Sequence, residues 1–164
     1  MHSNAIISNK GEFELKKYIG WILVAVGILI DQITKLLALN IEDSIEVIPG
    51  VLNFTLVKNE GAAFGIAQGA NGIILAISIV ICLIIIGTIL VLKYKDERVS
   101  PCFYLLVSGG IGNIIDRIFR GYVVDFIDTP YIATFNIADS LVVIGVFWSI
   151  AEEVITSVFS KELS

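Results

Sequence analysis

Residues 72–92 read GIILAISIVICLIIIGTILVL, an apolar stretch without a single charged side chain. A segment of about 18 or more apolar residues is long enough to cross the hydrocarbon core of a bilayer as an α-helix. The composition of the chain agrees, since 56% of its 164 residues are hydrophobic and its mean hydropathy is +0.88. The sequence therefore predicts a protein embedded in a membrane rather than dissolved in water.

Three further apolar segments, each interrupted by a few polar residues, approach the same length. They cover about residues 18–39, 102–119 and 137–159. The first follows Lys16 and Lys17, as the apolar region of a cleavable signal peptide would. Hydrophobicity resumes beyond Asp31, however, and no convincing small-residue cleavage site follows, so a retained helix is predicted. We therefore expect an all-α membrane fold with four transmembrane helices in a single domain of residues 1–164.

Basic residues are distributed unevenly around these segments. Lys and Arg are enriched in the cytoplasmic loops of membrane proteins. Here they cluster before the first segment and in the short loop after the second, at Lys10, Lys16, Lys17, Lys93, Lys95 and Arg98. We therefore expect both termini in the cytoplasm, where residues 1–16 form a polar extension, and both longer connections on the outer face.

The first long connection, at about residues 41–66, mixes β-forming residues with turn residues. Residues 45–48 (IEVI) and 51–57 (VLNFTLV) flank Pro49 and Gly50. Such runs on either side of a Pro-Gly turn predict a pair of strands. We expect a small extracytoplasmic β-sheet between helices 1 and 2, lying at the membrane surface. The second outer connection, at about residues 120–135, is shorter than the first and is apolar and aromatic.

The composition also disfavours several classes of function. The formal net charge is −5 and the acids are spread along the chain, so there is no basic patch to bind nucleic acid. The chain has one histidine, His2, and its two cysteines, Cys82 and Cys102, show no metal-ligand spacing. A zinc site and a Ser-His-Asp triad are therefore not expected. Both cysteines are expected to be small buried residues.

Ionisable residues within the apolar segments are the main functional signal, because charges are costly in a membrane and usually face a polar interior. Asp31 and Lys35 are four residues apart in the first segment, a spacing that places them on one helical face. A structural ion pair at the membrane border explains them, and a direct chemical role is the alternative.

The third apolar segment carries a stripe of small and polar residues. Its members, at helical spacing, are Gly109, Gly112, Asn113, Asp116 and Arg117. Small residues allow another helix to approach closely, and polar side chains donate hydrogen bonds across such a contact. The forked guanidinium of Arg117 suits either a carboxylate partner or a substrate carbonyl. We expect this stripe to line a site.

Two carboxylates, Asp125 and Asp139, lie at the predicted outer edge of the membrane. A helix cap formed with Asn136 is one explanation of Asp139. A cap does not require Asp125, which lies between Val124 and Phe126. If the two carboxylates meet, they cannot both ionise cheaply, so they share a proton and provide both a base and an acid for peptide hydrolysis. The helix dipole favours the anion of Asp139, which leaves the proton on Asp125.

Five blocks follow one another along the chain between about residues 18 and 158. They are Asp31-Gln32-Ile33-Thr34-Lys35, Asn59-Glu60-Gly61-Ala62-Ala63-Phe64-Gly65, Gly112-Asn113-Ile114-Ile115-Asp116-Arg117, Val123-Val124-Asp125-Phe126 and Phe135-Asn136-Ile137-Ala138-Asp139-Ser140. Together they resemble the bacterial lipoprotein signal peptidases, also called type II signal peptidases.

The resemblance implies an aspartyl endopeptidase of the bacterial cell membrane, with Asp125 and Asp139 as its catalytic dyad. The substrate of such enzymes is a prolipoprotein that carries diacylglycerol on a cysteine, and cleavage just before this cysteine releases the signal peptide. No cofactor or metal is implied, and globomycin-type inhibitors are expected to bind. The residues implied to contact the substrate are Asn59, Gly61, Asn113, Arg117 and Asn136, and those implied to support the site are Asp31, Lys35 and Asp116.

Two other functions are compatible with acids in membrane segments. A proton- or ion-coupled transporter would use them as an ion pathway, and a membrane scaffold would use them for helix packing. A transporter needs ionisable groups near the middle of the membrane, whereas these acids cluster at one edge and residues 72–92 contain none. The sequence therefore favours the peptidase.

Overall fold

The computed structural model describes residues 2–61 and 71–162, and this part of the chain contains four helices and four strands. The helices are α1 (His2–Ala38), α2 (Asn71–Tyr94), α3 (Pro101–Phe119) and α4 (Ile137–Glu162). The strands are β1 (Ile45–Ile48), β2 (Leu52–Asn59), β3 (Val123–Thr129) and β4 (Ile132–Phe135). Residues 62–65 of the second sequence block, and the end of the predicted outer β element, lie outside the described residues.

All four helices are long and apolar enough to cross a membrane. The spanning segments are Tyr18–Ala38, Asn71–Tyr94, Pro101–Phe119 and Ile137–Phe159. Their bounds agree with the predicted segments to within two residues, so the prediction of four transmembrane helices is confirmed. The α1 helix extends beyond its spanning segment, back to His2.

The outer surfaces of the helices are apolar. Leu37 on α1, Leu83 on α2 and Phe147 on α4 each leave more than half of their surface exposed. Large apolar side chains in this number would be costly in water, whereas lipid tails are as apolar as the side chains themselves. The helices therefore present these faces to lipid.

The central helix of the bundle is α3. In its spanning segment 44% of the residues are buried, against 11% in α2 and 6% in α4. Ser100 caps its first turn by accepting the N–H of Cys102, and Pro101 occupies the first helical position, where its missing N–H costs nothing. Gly109 faces α4 so closely that a Cβ there would overlap the carbonyl oxygen of Ala138. The close packing predicted for the small-residue stripe is therefore confirmed at the α3–α4 contact.

The strands form one antiparallel sheet in the order β1-β2-β3-β4. The first two strands are the pair predicted between α1 and α2. The other two come from the connection between α3 and α4, for which no strand was predicted. Val123 to Phe126 of β3 are all buried, and Val124 and Phe126 pack on Ala38 at the end of α1. A strand buried on both faces lacks the apolar–polar alternation that identifies strands from sequence.

Candidate active site

Asp125 and Asp139 meet at Asn136, the residue between β4 and α4. The hairpin of β3 and β4 returns the chain so that Ile127 pairs with Phe135, which brings Asp125 beside the start of α4. The Asn136 side-chain amide donates to Asp125 Oδ1 at 2.6 Å. The backbone N–H of Asn136 donates to Asp139 Oδ2 at 3.3 Å. One asparagine therefore binds both carboxylates.

Asn136 and Asp139 also form a reciprocal cap at the start of α4. The Oδ1 atom of Asn136 accepts the backbone N–H of Asp139 at 2.9 Å, while Asp139 accepts the backbone N–H of Asn136. This arrangement is a capping box, so the capping interpretation of Asp139 is confirmed. It leaves Oδ1 of Asp139 for a different donor, the side-chain amide of Asn113 at 2.7 Å. Asp139 therefore caps α4 through the same asparagine that binds Asp125.

The second carboxylate oxygen of Asp125 is bound from the sheet. Asn59, the last residue of β2, donates to Asp125 Oδ2 at 2.8 Å. The Oδ1 atom of Asn59 in turn accepts the backbone N–H of Gly61 at 3.0 Å. This bond fixes the orientation of the amide, so that its NH₂ group points at the carboxylate. Both predicted residues of the second block that are described, Asn59 and Gly61, thus lie beside Asp125.

Burial sets the protonation behaviour of Asp125, which lies on the sheet outside the spanning segments. Only 1% of its surface is exposed. Loss of solvent raises the pKa of Asp125 to about 6, and the nearby charge of Asp139 acts in the same direction. The hydrogen bonds from Asn59 and Asn136 oppose this rise in pKa, because they stabilise the anion. Asp125 therefore retains its proton to a higher pH than an exposed aspartate.

A fully buried lysine lies behind the two catalytic candidates. Lys35 Nζ lies 3.0 Å from Asp31 Oδ2 and 3.1 Å from Asp116 Oδ2, and all three side chains are inaccessible to solvent. The predicted ion pair of Asp31 and Lys35 is therefore confirmed, with Asp116 as an additional partner. Lys35 also donates to Asn113 Oδ1 at 3.0 Å. This bond directs the NH₂ group of Asn113 towards Asp139.

Each acid of this buried group also binds a backbone N–H next to a catalytic candidate. Asp31 accepts the N–H of Ala138, the neighbour of Asp139, at 2.8 Å. Asp116 accepts the N–H of Val124, which immediately precedes Asp125, at 2.9 Å. The ion group therefore holds β3 and the first turn of α4 in a fixed relation.

An open cavity of about 370 Å³ lies between α2, α3 and α4 and reaches Asp139. Asn113 and Arg117 line it beside Asp139, and its remaining lining is mainly apolar, with Ile81 of α2 and Val142 of α4 among the contributors. Arg117 donates weakly to the backbone oxygen of Asn113 at 3.4 Å. Its buried Nε has no hydrogen-bond partner among the described residues. The cavity thus combines an apolar channel with a guanidinium donor next to a carboxylate.

All residues predicted for the site are joined in this one network, but two of its members were not predicted. Arg120 pairs with Asp116 and also donates to Gln32 at 3.1 Å. The amide of Gln32 donates to Asp31 at 3.1 Å and to Asp116 at 3.2 Å. The four-residue spacing of Asp116 and Arg120 was a usable signal. For Gln32 the only signal in the sequence was its position next to Asp31.

Comparison with known proteins identifies the family. The sequence profile described as signal peptidase (SPase) II matches residues 23–155. The lipoprotein signal peptidase of Staphylococcus haemolyticus is 44% identical over 142 residues, which cover 79% of this chain and 87% of that protein. The lipoprotein signal peptidase of Halothermothrix orenii is 41% identical over 131 residues, which cover 76% of this chain and 88% of that protein.

A solved structure of a bacterial membrane enzyme has the same fold. It superposes with a TM-score of 0.75 at 35% sequence identity, over 85% of this chain and 89% of that one. Four spanning helices and this likeness make the chain a multi-pass membrane protein. The profile match and the two relatives cover most of its length. The chain therefore belongs to the lipoprotein signal peptidase (signal peptidase II) family, whose members are proteases.

Proposed function

We propose that the chain is an aspartyl endopeptidase that cleaves the signal peptide from diacylglyceryl-modified prolipoproteins just before the lipidated cysteine. The observation that carries this proposal is the bonding of Asp125 and Asp139 to the same asparagine, Asn136. Two carboxylates bound by one asparagine, with Asp139 on the lining of a mainly apolar cavity, offer an acid and a base to a lipid-soluble substrate.

In the proposed reaction, ionised Asp139 accepts a proton from water while the water oxygen bonds to the scissile carbonyl carbon. Protonated Asp125 donates its proton to the leaving amine of the cysteine as the C–N bond breaks. The proton held by Asp139 then passes to Asp125 and restores the starting state. The raised pKa of Asp125 supports its role as the acid. The overall change adds OH to the carbonyl carbon and H to the amine, and no cofactor is required.

The remaining polar residues are assigned to substrate binding. Arg117 has a buried Nε without a partner in the described part of the chain, and a guanidinium so placed suits the carbonyl oxygen that gains charge during hydrolysis. Asn113 and Asn136 orient the carboxylates, and Asn113 also lines the cavity. Asn59 and Gly61, which lie beside Asp125, are assigned to the peptide backbone of the substrate. The sheet then lies along the membrane surface as a cradle for the peptide.

The proposed orientation places the dyad at the outer face of the bacterial cell membrane. Both connections that form the sheet lie at one end of the bundle, whereas the basic loop with Lys93, Lys95 and Arg98 lies at the other. Cytoplasmic loops carry the excess of Lys and Arg, so both termini are assigned to the cytoplasm.

Modification of a cysteine introduced at Asp43 by a membrane-impermeant reagent, applied to intact cells, tests this orientation. Protection of that cysteine contradicts it.

A transporter is not favoured by the site. The buried acids Asp31 and Asp116 both pair with Lys35, and Asp116 also pairs with Arg120. The spanning interior of α2 contains no acidic or basic side chain. A continuous ion pathway across the bundle needs such groups at several depths. The buried acids Asp31, Asp116 and Asp125 instead gather where the sheet meets the helices.

The decisive experiment incubates the purified chain with a synthetic precursor peptide that carries diacylglycerol on its cysteine, and locates the cleaved bond by mass spectrometry. Cleavage immediately before the lipidated cysteine is expected, together with inhibition by globomycin. Asp125→Asn and Asp139→Asn are each expected to lose activity at least a thousandfold. Asp139→Asn should still fold, because asparagine retains an acceptor for the cap.

Asp128→Asn is the matched control, since Asp128 lies on the same strand as Asp125 and binds Thr134 instead. Its activity is expected to equal that of the unchanged chain. Intact precursor after incubation with the unchanged chain, or cleavage by either dyad variant at the control rate, contradicts the proposal.

A further inference from the structure

A second and larger cavity lies at the end of the bundle opposite the sheet. Its volume is about 750 Å³, and it opens between the first spanning turns of α1 and the loop that joins α2 to α3. Four charged residues line it, namely Lys93, Asp96, Glu97 and Arg98. Ile19 and Leu23 of α1 supply part of its apolar wall. None of these residues takes part in the proposed hydrolysis.

The end of α2 holds the charged residues over the cavity. Asp96 adopts a left-handed backbone conformation with φ of 58°, and the N–H of Glu97 donates to the carbonyl of Leu92 at 2.9 Å. This pattern is a Schellman-type helix end, which satisfies the last carbonyls and turns the chain sharply. Because α3 begins at Pro101, the loop is short and its charges stay close together.

An aromatic pair marks the depth of this cavity in the membrane. Trp21 and Tyr104 pack edge to face with their ring centroids 5.7 Å apart. Lys93 Nζ lies 5.7 Å from the Trp21 centroid and 5.6 Å from the Tyr104 centroid, within the range of a cation–π interaction. Trp, Tyr and Lys at the end of a spanning helix occupy the level of the lipid head groups. The cavity therefore opens where head groups lie, with its apolar wall towards the acyl chains.

We propose that this cavity binds a phospholipid whose head group carries both a phosphate and a primary ammonium. Lys93 and Arg98 are assigned to the phosphate, as basic pockets between spanning helices bind lipid phosphates. Asp96 and Glu97 are assigned to the ammonium, through charge-assisted hydrogen bonds. An acyl chain lies against Leu23 and its apolar neighbours.

The balance of charge selects this class of lipid over others. The lining carries two cations and two acids. An anionic head group without an ammonium leaves both acids facing negative charge, which is unfavourable because like charges repel. A quaternary ammonium is attracted to the acids but has no N–H to donate to them. This site is independent of the proposed peptidase mechanism, because it shares no residue with the dyad network.

Native mass spectrometry of the purified full chain tests the proposal, with phosphatidylethanolamine, phosphatidylcholine and phosphatidylglycerol of identical acyl chains. Phosphatidylethanolamine is expected to bind with a Kd at least tenfold lower than either of the others. Glu97→Gln should reduce its preference over phosphatidylglycerol at least fivefold. Arg98→Gln should weaken binding of all three lipids, because each contains a phosphate.

Lys95→Gln and Glu153→Gln are the controls, since both residues are exposed and neither lines the cavity. They should leave the order of affinities unchanged. Leu23→Trp narrows the cavity without altering a charge and should abolish the preference, with the Tm of the delipidated protein as the check of folding. Equal affinity for the three lipids, tighter binding of phosphatidylglycerol, or a preference that survives both Glu97→Gln and Leu23→Trp overturns the proposal.

Discussion

Asp116 on α3 accepts the backbone N–H of Val124 on β3 at 2.9 Å. The bond joins the central spanning helix to the residue directly before Asp125. Asp31 makes the equivalent bond to Ala138 beside Asp139 at 2.8 Å. The relative position of the two catalytic candidates is therefore held by backbone bonds to two buried acids, in addition to the contacts of their own side chains.

Lys35 is expected to be essential for stability as well as activity. Lys35→Met retains the length of the side chain but leaves Asp31 and Asp116 without the cation between them. Removal of one partner from a buried ion group costs about 3–5 kcal/mol, so the Tm in detergent should fall strongly and cleavage should be lost. Adding Asp31→Asn to Lys35→Met should recover part of the Tm, because one unpaired charge is removed.

The exposed Lys95 offers a matched control for this experiment. Lys95→Met removes the same charge without breaking a buried contact and should leave the Tm nearly unchanged. Equal Tm values for Lys35→Met and Lys95→Met contradict the structural role of the buried ion group.

The raised pKa of Asp125 predicts a characteristic dependence of stability on pH. The pKa is about 6 in the folded chain and about 3.9 in an unfolded one, so the fold favours the protonated form. Below about pH 4 Asp125 is protonated in both the folded and the unfolded state, so the difference in pKa does not lower the free energy of unfolding. As pH rises from 4 to 6 the cost to the folded state grows to roughly 3 kcal/mol, and above pH 6 it stays constant.

Thermal unfolding of the unchanged chain and of Asp125→Asn, between pH 4 and 7 in one detergent, measures this cost. The Tm of the unchanged chain should decline relative to that of the variant as pH rises. Asp128→Asn should instead follow the unchanged chain. Parallel curves for the unchanged chain and Asp125→Asn show that Asp125 ionises normally and contradict the prediction.

Asn59 is expected to lower the pKa of Asp125. Its amide stabilises the Asp125 anion at 2.8 Å, and this bond lowers the pKa of Asp125 relative to burial alone. Asn59→Ala should therefore move the pKa of Asp125 above about 6. Infrared titration of the protonated-carboxyl band, assigned by its loss in Asp125→Asn, gives the midpoint directly. Asn53→Ala on the same strand should not move it, and an unchanged midpoint in Asn59→Ala removes Asn59 from the site.

Two glycines in spanning helices should respond in opposite ways to alanine. At Gly109 a Cβ would overlap Ala138 O and lie 2.7 Å from Val142 Cγ2, so Gly109→Ala forces α4 away from α3 and costs about 1–3 kcal/mol or more. At Gly87 no atom lies within 4 Å of the added Cβ. Gly87→Ala should instead stabilise α2 by about 0.5–1 kcal/mol, through its helix propensity.

Measurement of Tm and cleavage for both variants separates the effect of helix–helix packing from the effect of helix propensity. Gly109→Ala should lose activity together with stability, because Asp139 lies on the displaced turn of α4. Gly87→Ala should remain fully active. A Gly109→Ala variant with unchanged Tm and activity contradicts the close contact between α3 and α4.

Local patterns account for what was predicted correctly. Four apolar segments are recognisable because a bilayer requires long uncharged runs, whatever their partners. The pairing of Asp31 with Lys35 follows from helical geometry alone, as does the cap that joins Asn136 to Asp139. The acid–base role of Asp125 and Asp139 was reasoned from their chemistry, whereas the substrate contacts of Asn59, Gly61 and Asn136 were implied by the family resemblance. These roles remain a prediction.

Non-local contacts account for what was missed. The strands β3 and β4 were not predicted, because burial on both faces removes the alternation by which a strand is recognised. Arg120 was assigned to an outer loop, although it pairs with Asp116. The burial of β3 depends on its packing against other elements. The pairing of Arg120 depends on where α3 ends, because Arg120 follows the last helical residue.

The amino-acid sequence by itself determined the membrane setting, the number of spans and the chemical groups available, because these depend on composition and short-range periodicity. Only the tertiary structure decided that Asp125 and Asp139 share Asn136, and that Lys35 lies between Asp31 and Asp116. In the same network, the bond from Ala138 to Asp31 joins residues 107 positions apart. They form only when helix packing and strand register bring the backbone segments together, since a buried charge or amide needs its partner at hydrogen-bond distance.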